Sequence, residues 1–140
     1  MGLQKFKDDF ILFSEAGFIA INQSDEDAAV KLFKAAELLK PENTLPKVGL
    51  GYMHLCKLEL KAACKLFEDV LHKEPNNEMA KTFLGLALSL TPTDVSKGEK
   101  LLAESAKKAH DPMIKNLAET AIAFVEKFVK KGPTPTQGMR

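Results

Sequence analysis

The side chains that could bind a metal or transfer protons are few and scattered. The three histidines are His54, His72 and His110, and the two cysteines are Cys56 and Cys64. No carboxylate or cysteine accompanies these histidines at the paired spacing typical of a zinc site. We therefore expect no metal site. The cysteines fall within helical patterns, which favours reduced thiols in the core of a cytosolic protein.

The patterns that bind nucleotides are also absent. Gly49-Leu50-Gly51 lacks the further glycine and the preceding strand of a dinucleotide loop, and no G-x4-G-K-[ST] segment occurs. The 20 basic and 19 acidic residues give a formal net charge of +1, without a block of like charges. These observations argue against a cofactor, against an enzyme and against nucleic-acid binding.

The apolar segments are too short for a secretory signal or a membrane span. The N-terminal run from Phe10 to Phe13 is interrupted by Ser14 and Glu15, and the run from Phe83 to Leu90 is also short. A signal peptide needs a longer apolar stretch and a cleavage site of small residues, and a membrane helix needs about 20 apolar residues. We expect a cytoplasmic protein without a membrane span.

A six-residue segment recurs with five of its six residues identical. Ala28-Ala29-Val30-Lys31-Leu32-Phe33 returns as Ala62-Ala63-Cys64-Lys65-Leu66-Phe67, beginning 34 positions later. The same offset links Gly17 to Gly51 to Gly85, Pro41 to Pro75, and Asn43 to Asn77. A recurrence at about 34 residues is typical of stacked helical hairpins. The sequence therefore predicts an all-α array.

Capping and turn residues predict where the helices lie. Ser24 and Asp27 form a capping-box pattern that would start one helix. Further helices are predicted over residues 44–57, 60–73 and 78–90, and a last helix begins at Asp111-Pro112. Apolar residues recur at helical spacing along this last helix: Ile114, Leu117, Ala118, Ala121, Ile122, Val125, Phe128 and Val129. The tail, residues 132–140, contains two prolines without periodicity and is predicted to be disordered.

The chain resembles the tetratricopeptide repeat, whose pattern runs W-x2-L-G-x2-Y, then A-x3-F, then P. The first copy reads Phe13, Ala16, Gly17, Ala20, Ala29, Phe33 and Pro41, and the second reads Lys47, Leu50, Gly51, His54, Ala63, Phe67 and Pro75. In the third copy, Gly98 and Leu102 stand one position late for the expected Ala and Phe, after a longer turn at residues 91–94.

The resemblance implies one domain over residues 1–131. It would contain three hairpins, at about 10–43, 44–77 and 78–111, and a capping helix at about 112–131, in a right-handed α-solenoid. Gly17, Gly51 and Gly85 would let the first helix of each hairpin approach the second, with Ala29 and Ala63 as small partners.

The resemblance also implies a binding groove, because the second, fifth, ninth and twelfth residues of each repeat line one in this family. Nine of the twelve residues are apolar and none is charged, which suits the apolar face of an amphipathic helix. Core packing remains an alternative for any one of them, and the N-terminal segment, the last helix or a second chain could fill the groove. The predicted partner-binding residues are Ile11, Ser14, Phe18, Ile21, Leu45, Val48, Tyr52, Leu55, Met79, Thr82, Leu86 and Ser89.

Within the family, the chain is similar to small chaperones of bacterial type III secretion, which hold needle or translocator subunits in the cytosol. The short length favours the needle-subunit class. This similarity implies a protein that sequesters the amphipathic helix of an aggregation-prone secreted subunit. The alternative is a scaffold that mediates complex assembly or self-association. The identity of the client, the oligomeric state and the presence of a third protein in the complex stay open.

Overall fold

A computed structural model describes residues 9–130 of the chain. This range folds into seven α-helices, followed by a π-helical segment, and contains no strand. The predicted all-α class is therefore confirmed, whereas the tail predicted to be disordered lies outside the described residues. The helices are α1 (Phe10–Asn22), α2 (Glu26–Leu39), α3 (Leu45–Cys56), α4 (Leu60–Lys73), α5 (Glu78–Ser89), α6 (Val95–Lys108) and α7 (Pro112–Phe124), and the π-helical segment is Val125–Lys130.

The start of α2 differs from the sequence prediction. Asp25, not Ser24, is the capping residue, and its carboxylate accepts a hydrogen bond from the backbone N–H of Ala28 at 3.1 Å. Ser24 is unavailable as a cap because its φ of 61° ends the preceding turn in a left-handed conformation. Both residue types cap helices well, so the tertiary turn selects between them.

Side-chain caps also start α5 and α7. Asn77 accepts a hydrogen bond from the backbone N–H of Ala80 at 2.9 Å. Asp111 accepts one from Met113 at 2.8 Å, and Pro112 occupies the first turn, as predicted. No helix within residues 9–130 combines the length and the apolar composition needed to cross a bilayer.

The turns after α1 and α3 share one geometry. Ser24 and Leu58 lie 34 positions apart, and both have positive φ, 61° and 60°. In each turn the backbone N–H of the next residue donates to a carbonyl five residues earlier at 2.8 Å. This is the hydrogen bond of a Schellman motif, which usually places glycine at the left-handed position. The sequence repeat therefore extends to the backbone of the turns.

Proline explains why the third turn differs. Pro92 stands 34 positions after Leu58. The proline ring holds φ at about −65°, so this residue cannot adopt a left-handed conformation. The chain instead makes a longer turn, and α6 begins at Val95, 35 positions after the start of α4 at Leu60. This shift accounts for Gly98 and Leu102 appearing one position late.

Replacing Leu58 with glycine should stabilise the protein. A side chain with a Cβ atom in the left-handed region costs about 1 kcal/mol, and the Leu58 side chain is 68% exposed and contributes little packing. We expect Leu58→Gly to raise the free energy of unfolding, measured by urea denaturation. Leu58→Ala is the control because it shortens the side chain but keeps the Cβ atom. Equal stability of the two variants would contradict the strain at this position.

The chain divides into two compact units between Val70 and Leu71, within α4. Unit 1 ends at Val70, and unit 2 begins at Leu71. In unit 1, the fully buried ring of Phe33 lies between Gly17 of α1 and Gly49 of α3. A Cβ atom at Gly17 would lie 2.7 Å from this ring, and one at Gly49 would overlap it further. The two glycines therefore make the space that the ring fills.

The same arrangement joins α3 to α4. A Cβ atom at Gly51 would lie 2.5 Å from the buried ring of Phe67. The close approach predicted at Gly17 and Gly51 is thus confirmed, although the nearest side-chain atoms belong to phenylalanine rather than to the motif's alanines. The packing pairs a glycine on one helix with an aromatic ring on the next, and bulkier residues at the glycines would force the helices apart.

In unit 2, α5 and α6 approach through backbone atoms. A Cβ atom at Gly98 would overlap the backbone nitrogen and hydroxyl of Ser89 and would lie 2.5 Å from the carbonyl oxygen of Gly85. Leu102, fully buried, packs with Ala121 of α7 and with Val125. A glycine thus replaces the expected alanine because the two helix backbones are nearly in contact.

Candidate protein-binding surface

α1 carries apolar residues on its exposed side as well as on its buried side. Ile11, Leu12 and Ile19 remain 52%, 60% and 56% exposed, although α1 already buries Phe10 and other residues in the core of unit 1. Glu15 is the one charged residue of this helix and is also exposed. We call Ile11, Leu12, Glu15 and Ile19 the α1 face. An exposed apolar surface of this kind is typical of protein–protein contacts.

Two aromatic residues of the predicted groove meet beside this face. The rings of Phe18 on α1 and Tyr52 on α3 have centroids 5.9 Å apart. Phe18 also packs edge-on against the core ring of Phe33, at 5.2 Å. Burial and, secondly, a hydrogen bond with Cys56 raise the pKa of Tyr52 above its usual value. Both aromatic residues are half-buried and therefore keep some surface that a partner could contact.

The twelve predicted groove residues fall into two sets. The fifth and twelfth positions of every repeat pack inside the units, which is the core alternative that the sequence left open, whereas the second and ninth positions keep solvent-accessible surface. The groove as a binding site stays a prediction, but a partner could contact only the second set. The buried set is Ser14, Ile21, Val48, Leu55, Thr82 and Ser89; the accessible set is Ile11, Phe18, Leu45, Tyr52, Met79 and Leu86.

Two polar members of the buried set form internal hydrogen bonds. The Thr82 hydroxyl donates to the carbonyl of Glu78 at 2.8 Å and lies 2.9 Å from the Ser105 hydroxyl of α6. The Ser89 hydroxyl donates to the carbonyl of Gly85 at 2.8 Å. Because buried hydroxyls are costly unless they are hydrogen-bonded, these contacts explain how Thr82 and Ser89 lie in the core.

A cluster of charged side chains in unit 1 connects the turn after α3 to the start of α2. Lys57 Nζ lies 2.8 Å from Glu26 Oε1 and 3.4 Å from Glu59 Oε2, and Glu59 Oε1 lies 2.6 Å from His54 Nδ1. The hydrogen bond with His54, followed by that with Lys57, lowers the pKa of Glu59. The bond with Glu26 raises the pKa of Lys57. These contacts connect the end of α3 to the start of α2, so we assign the cluster a structural role.

In unit 2, Glu78 connects the start of α5 to the turn before α7. Its Oε2 lies 2.7 Å from His110 Nδ1, and the backbone N–H of His110 donates to both carboxylate oxygens, at 3.0 and 2.9 Å. The ring hydrogen bond and then the backbone hydrogen bond lower the pKa of Glu78. A carboxylate that binds donors in the folded state stabilises that state only while it is ionised.

Acid should therefore weaken the contact made by Glu78. Since its folded pKa lies below its unfolded value, the stabilisation is complete above the unfolded pKa and is lost as the pH falls through the folded pKa. We expect the melting temperature of Glu78→Gln to fall less than that of the wild type between about pH 5 and pH 3. Glu119→Gln, an exposed change on α7, should keep the wild-type pH dependence. If the melting temperatures of Glu78→Gln and the wild type fell equally with pH, this role of Glu78 would be contradicted.

Comparison of the chain with protein-family models, with curated proteins and with solved structures finds no match. The resemblance to tetratricopeptide repeats therefore rests on the recurrence within the chain itself.

Sequence reasoning missed two residues of the α1 face. Leu12 and Ile19 belong neither to the predicted groove nor to the predicted hairpin contacts, yet both are more than half exposed. Their separation of seven residues places them on one side of the helix, two turns apart. That spacing was the available signal, but periodicity alone does not show whether another element covers a helix face.

Proposed function

We propose that this chain is a protein-binding array of the tetratricopeptide type, with three helical hairpins and a capping helix in a right-handed solenoid. The recurrence of helix starts and turns supports this proposal. α2 and α4 begin 34 positions apart, at Glu26 and Leu60, and α5 and α7 begin at the same separation, at Glu78 and Pro112. The left-handed turn residues Ser24 and Leu58 repeat at this distance too.

The observation that carries a binding function is the exposed apolar surface of unit 1. Ile11 is 52% exposed, and the half-buried rings of Phe18 and Tyr52 lie in contact with each other. Exposed apolar surface costs solvation free energy, about 25 cal/mol per Å². Burying it against the apolar face of an amphipathic helix would recover this free energy. We therefore propose that the partner contributes such a helix.

The proposed client is an aggregation-prone secreted subunit, such as a type III secretion needle subunit, held in the bacterial cytoplasm. The general features that the chain has in common with small secretion chaperones, a short repeat pattern and a predicted apolar groove, support this part of the proposal. An amphipathic helix that drives polymerisation would be hidden while it is bound to the array. The partner should therefore be insoluble or polymeric when it is produced alone.

The test is affinity purification of the tagged protein from its native cells, with the wild type compared with Ile11→Glu. We expect one short helical protein near a 1:1 ratio with the wild type and its loss with Ile11→Glu, because a charge at this position opposes burial. Ile11 suits the test better than Tyr52 or Leu86, which pack against core clusters and whose replacement would also change stability.

Leu38→Glu is the matched control, because Leu38 of α2 is an exposed leucine, 63% accessible, outside the predicted groove. It should keep the bound protein. Equal retention by Ile11→Glu would exclude this surface as the binding site. A folded partner that is soluble alone would exclude the chaperone role.

A further inference from the structure

α7 and the segment after it carry a second exposed apolar surface. Met113, Phe124 and Phe128 are 79%, 45% and 49% exposed, and the two phenylalanine rings pack together with centroids 5.2 Å apart. With half-buried Leu117, their separations are four, seven and four residues, so they form a stripe along one side of the helix. The stripe is about 22 Å long at about 1.5 Å per residue. We call these four residues the α7 face.

The α1 face and the α7 face are complementary in charge. Lys127 borders the α7 face, with its Nζ 5.4 Å from the centre of the Phe128 ring, and within residues 9–130 it forms no ion pair with a carboxylate. Glu15 is exposed among the apolar residues of the α1 face. An acidic residue on one apolar surface and a basic residue on the other would attract when the two surfaces meet.

We propose that the α1 face of one copy docks on the end of the α7 face formed by Phe124 and Phe128 in a second copy, with Glu15 opposite Lys127. Glu15 lies near the middle of the 13-residue α1, so α1 extends about 8–10 Å to either side of Lys127 and reaches Phe124 and Phe128 but not Met113. Pairing two α1 faces is disfavoured because Glu15 lies near the middle of α1 and would meet its own counterpart in either orientation. A single contact between unlike faces covers the α1 face and the two exposed phenylalanines of the α7 face without opposing like charges.

The association should be weak. One helix lying along another buries less than the roughly 1,200 Å² that a stable interface requires. We expect a dissociation constant on the order of 100 μM, so the protein is monomeric when dilute and forms larger species when concentrated. Because the two contact surfaces differ, a bound pair still presents one free α1 face and one free α7 face, to which further copies can bind.

Sedimentation equilibrium over a range of concentrations tests this contact by complementation. The average mass of the wild type should rise with concentration, whereas Leu12→Glu and Phe124→Glu should each stay monomeric. Their mixture should form a heterodimer, because Phe124→Glu keeps an intact α1 face and Leu12→Glu keeps an intact α7 face. Circular dichroism of both variants should match the wild type. Melting should also match for Leu12→Glu, whereas Phe124→Glu loses its ring contact with Phe128 and should melt slightly lower.

Charge reversal gives an independent readout. Glu15→Lys and Lys127→Glu should each weaken association by about fivefold, and the double variant should restore it, because the ion pair is reformed with opposite polarity. A wild type that stays monomeric, or a mixture of folded variants that does not associate, would overturn the proposal. Self-association of Leu12→Glu alone, or of Phe124→Glu alone, would show that the contact joins two like faces. That result would also overturn the proposal. Leu12, Glu15, Phe124 and Lys127 lie outside the predicted groove. Ile11 belongs to both the groove and the α1 face, so a client bound there would compete with the second copy, whereas a wild type that stays monomeric would leave the client test at Ile11 unaffected.

Discussion

Phe33→Ala should lower the free energy of unfolding by about 3–5 kcal/mol. The ring is fully buried between Gly17 and Gly49, two residues without side chains that could move into the space left by its removal. The loss therefore has two contributions: the free energy that the wild type gains by burying the ring, and the cost of a cavity that the backbone cannot readily close. Urea denaturation followed by circular dichroism in the far ultraviolet measures the change.

Leu38→Ala is the matched control for this experiment. Leu38 lies on the same helix and is 63% exposed, so its truncation should change stability by less than about 0.5 kcal/mol. The comparison separates core packing from any change in the helix propensity of α2, because both variants introduce alanine. A loss below about 1 kcal/mol for Phe33→Ala would show that the ring does not fill an essential space between α1 and α3.

Gly98→Ala should be the most disruptive small change in unit 2. Alanine normally favours a helix over glycine by about 1 kcal/mol, so on an open helix surface this substitution would stabilise. At Gly98 the added carbon would overlap the backbone of Ser89 and lie 2.5 Å from the carbonyl oxygen of Gly85. Backbone atoms cannot rotate away, so α5 and α6 must separate. We expect a net loss of about 2 kcal/mol or more.

The measurement for Gly98→Ala is again the free energy of unfolding in urea. Lys97→Ala is the control, because Lys97 is the exposed neighbour on the same turn of α6. It should have stability near that of the wild type. If Gly98→Ala were as stable as the wild type, the close approach of α5 to α6 would be refuted at this point.

Much of the secondary structure could be predicted from local residues. The predicted helix at 60–73 agrees with α4, and the predicted start at Asp111-Pro112 agrees with α7. Capping side chains and prolines act within one helical turn, so their effect can be inferred without the rest of the fold. The prediction of Ser24 as a cap was wrong because the end of α1 holds this residue in a left-handed conformation.

The candidate binding surface was harder to predict from the sequence. Val48 and Tyr52 are both apolar groove positions in the repeat pattern, yet Val48 is buried and Tyr52 keeps solvent-accessible surface. Similarly, the sequence presents Gly49 only as part of an incomplete nucleotide loop, whereas in the structure Gly49 accommodates the ring of Phe33. Which neighbour covers a side chain depends on packing between helices that are distant in sequence, and periodicity does not contain that information.

By itself, the sequence determined the all-α class, the recurrence of the repeated segment and most of the helix boundaries, because helix periodicity, caps and turn residues act locally. Only the tertiary structure decided that Phe33 packs between two glycines and that Gly98 lets two helix backbones nearly touch. It also decided that Leu12 and Phe124 remain exposed. The physical reason is that burial is a property of the whole packed unit: an apolar side chain is core or surface according to whether another helix covers it.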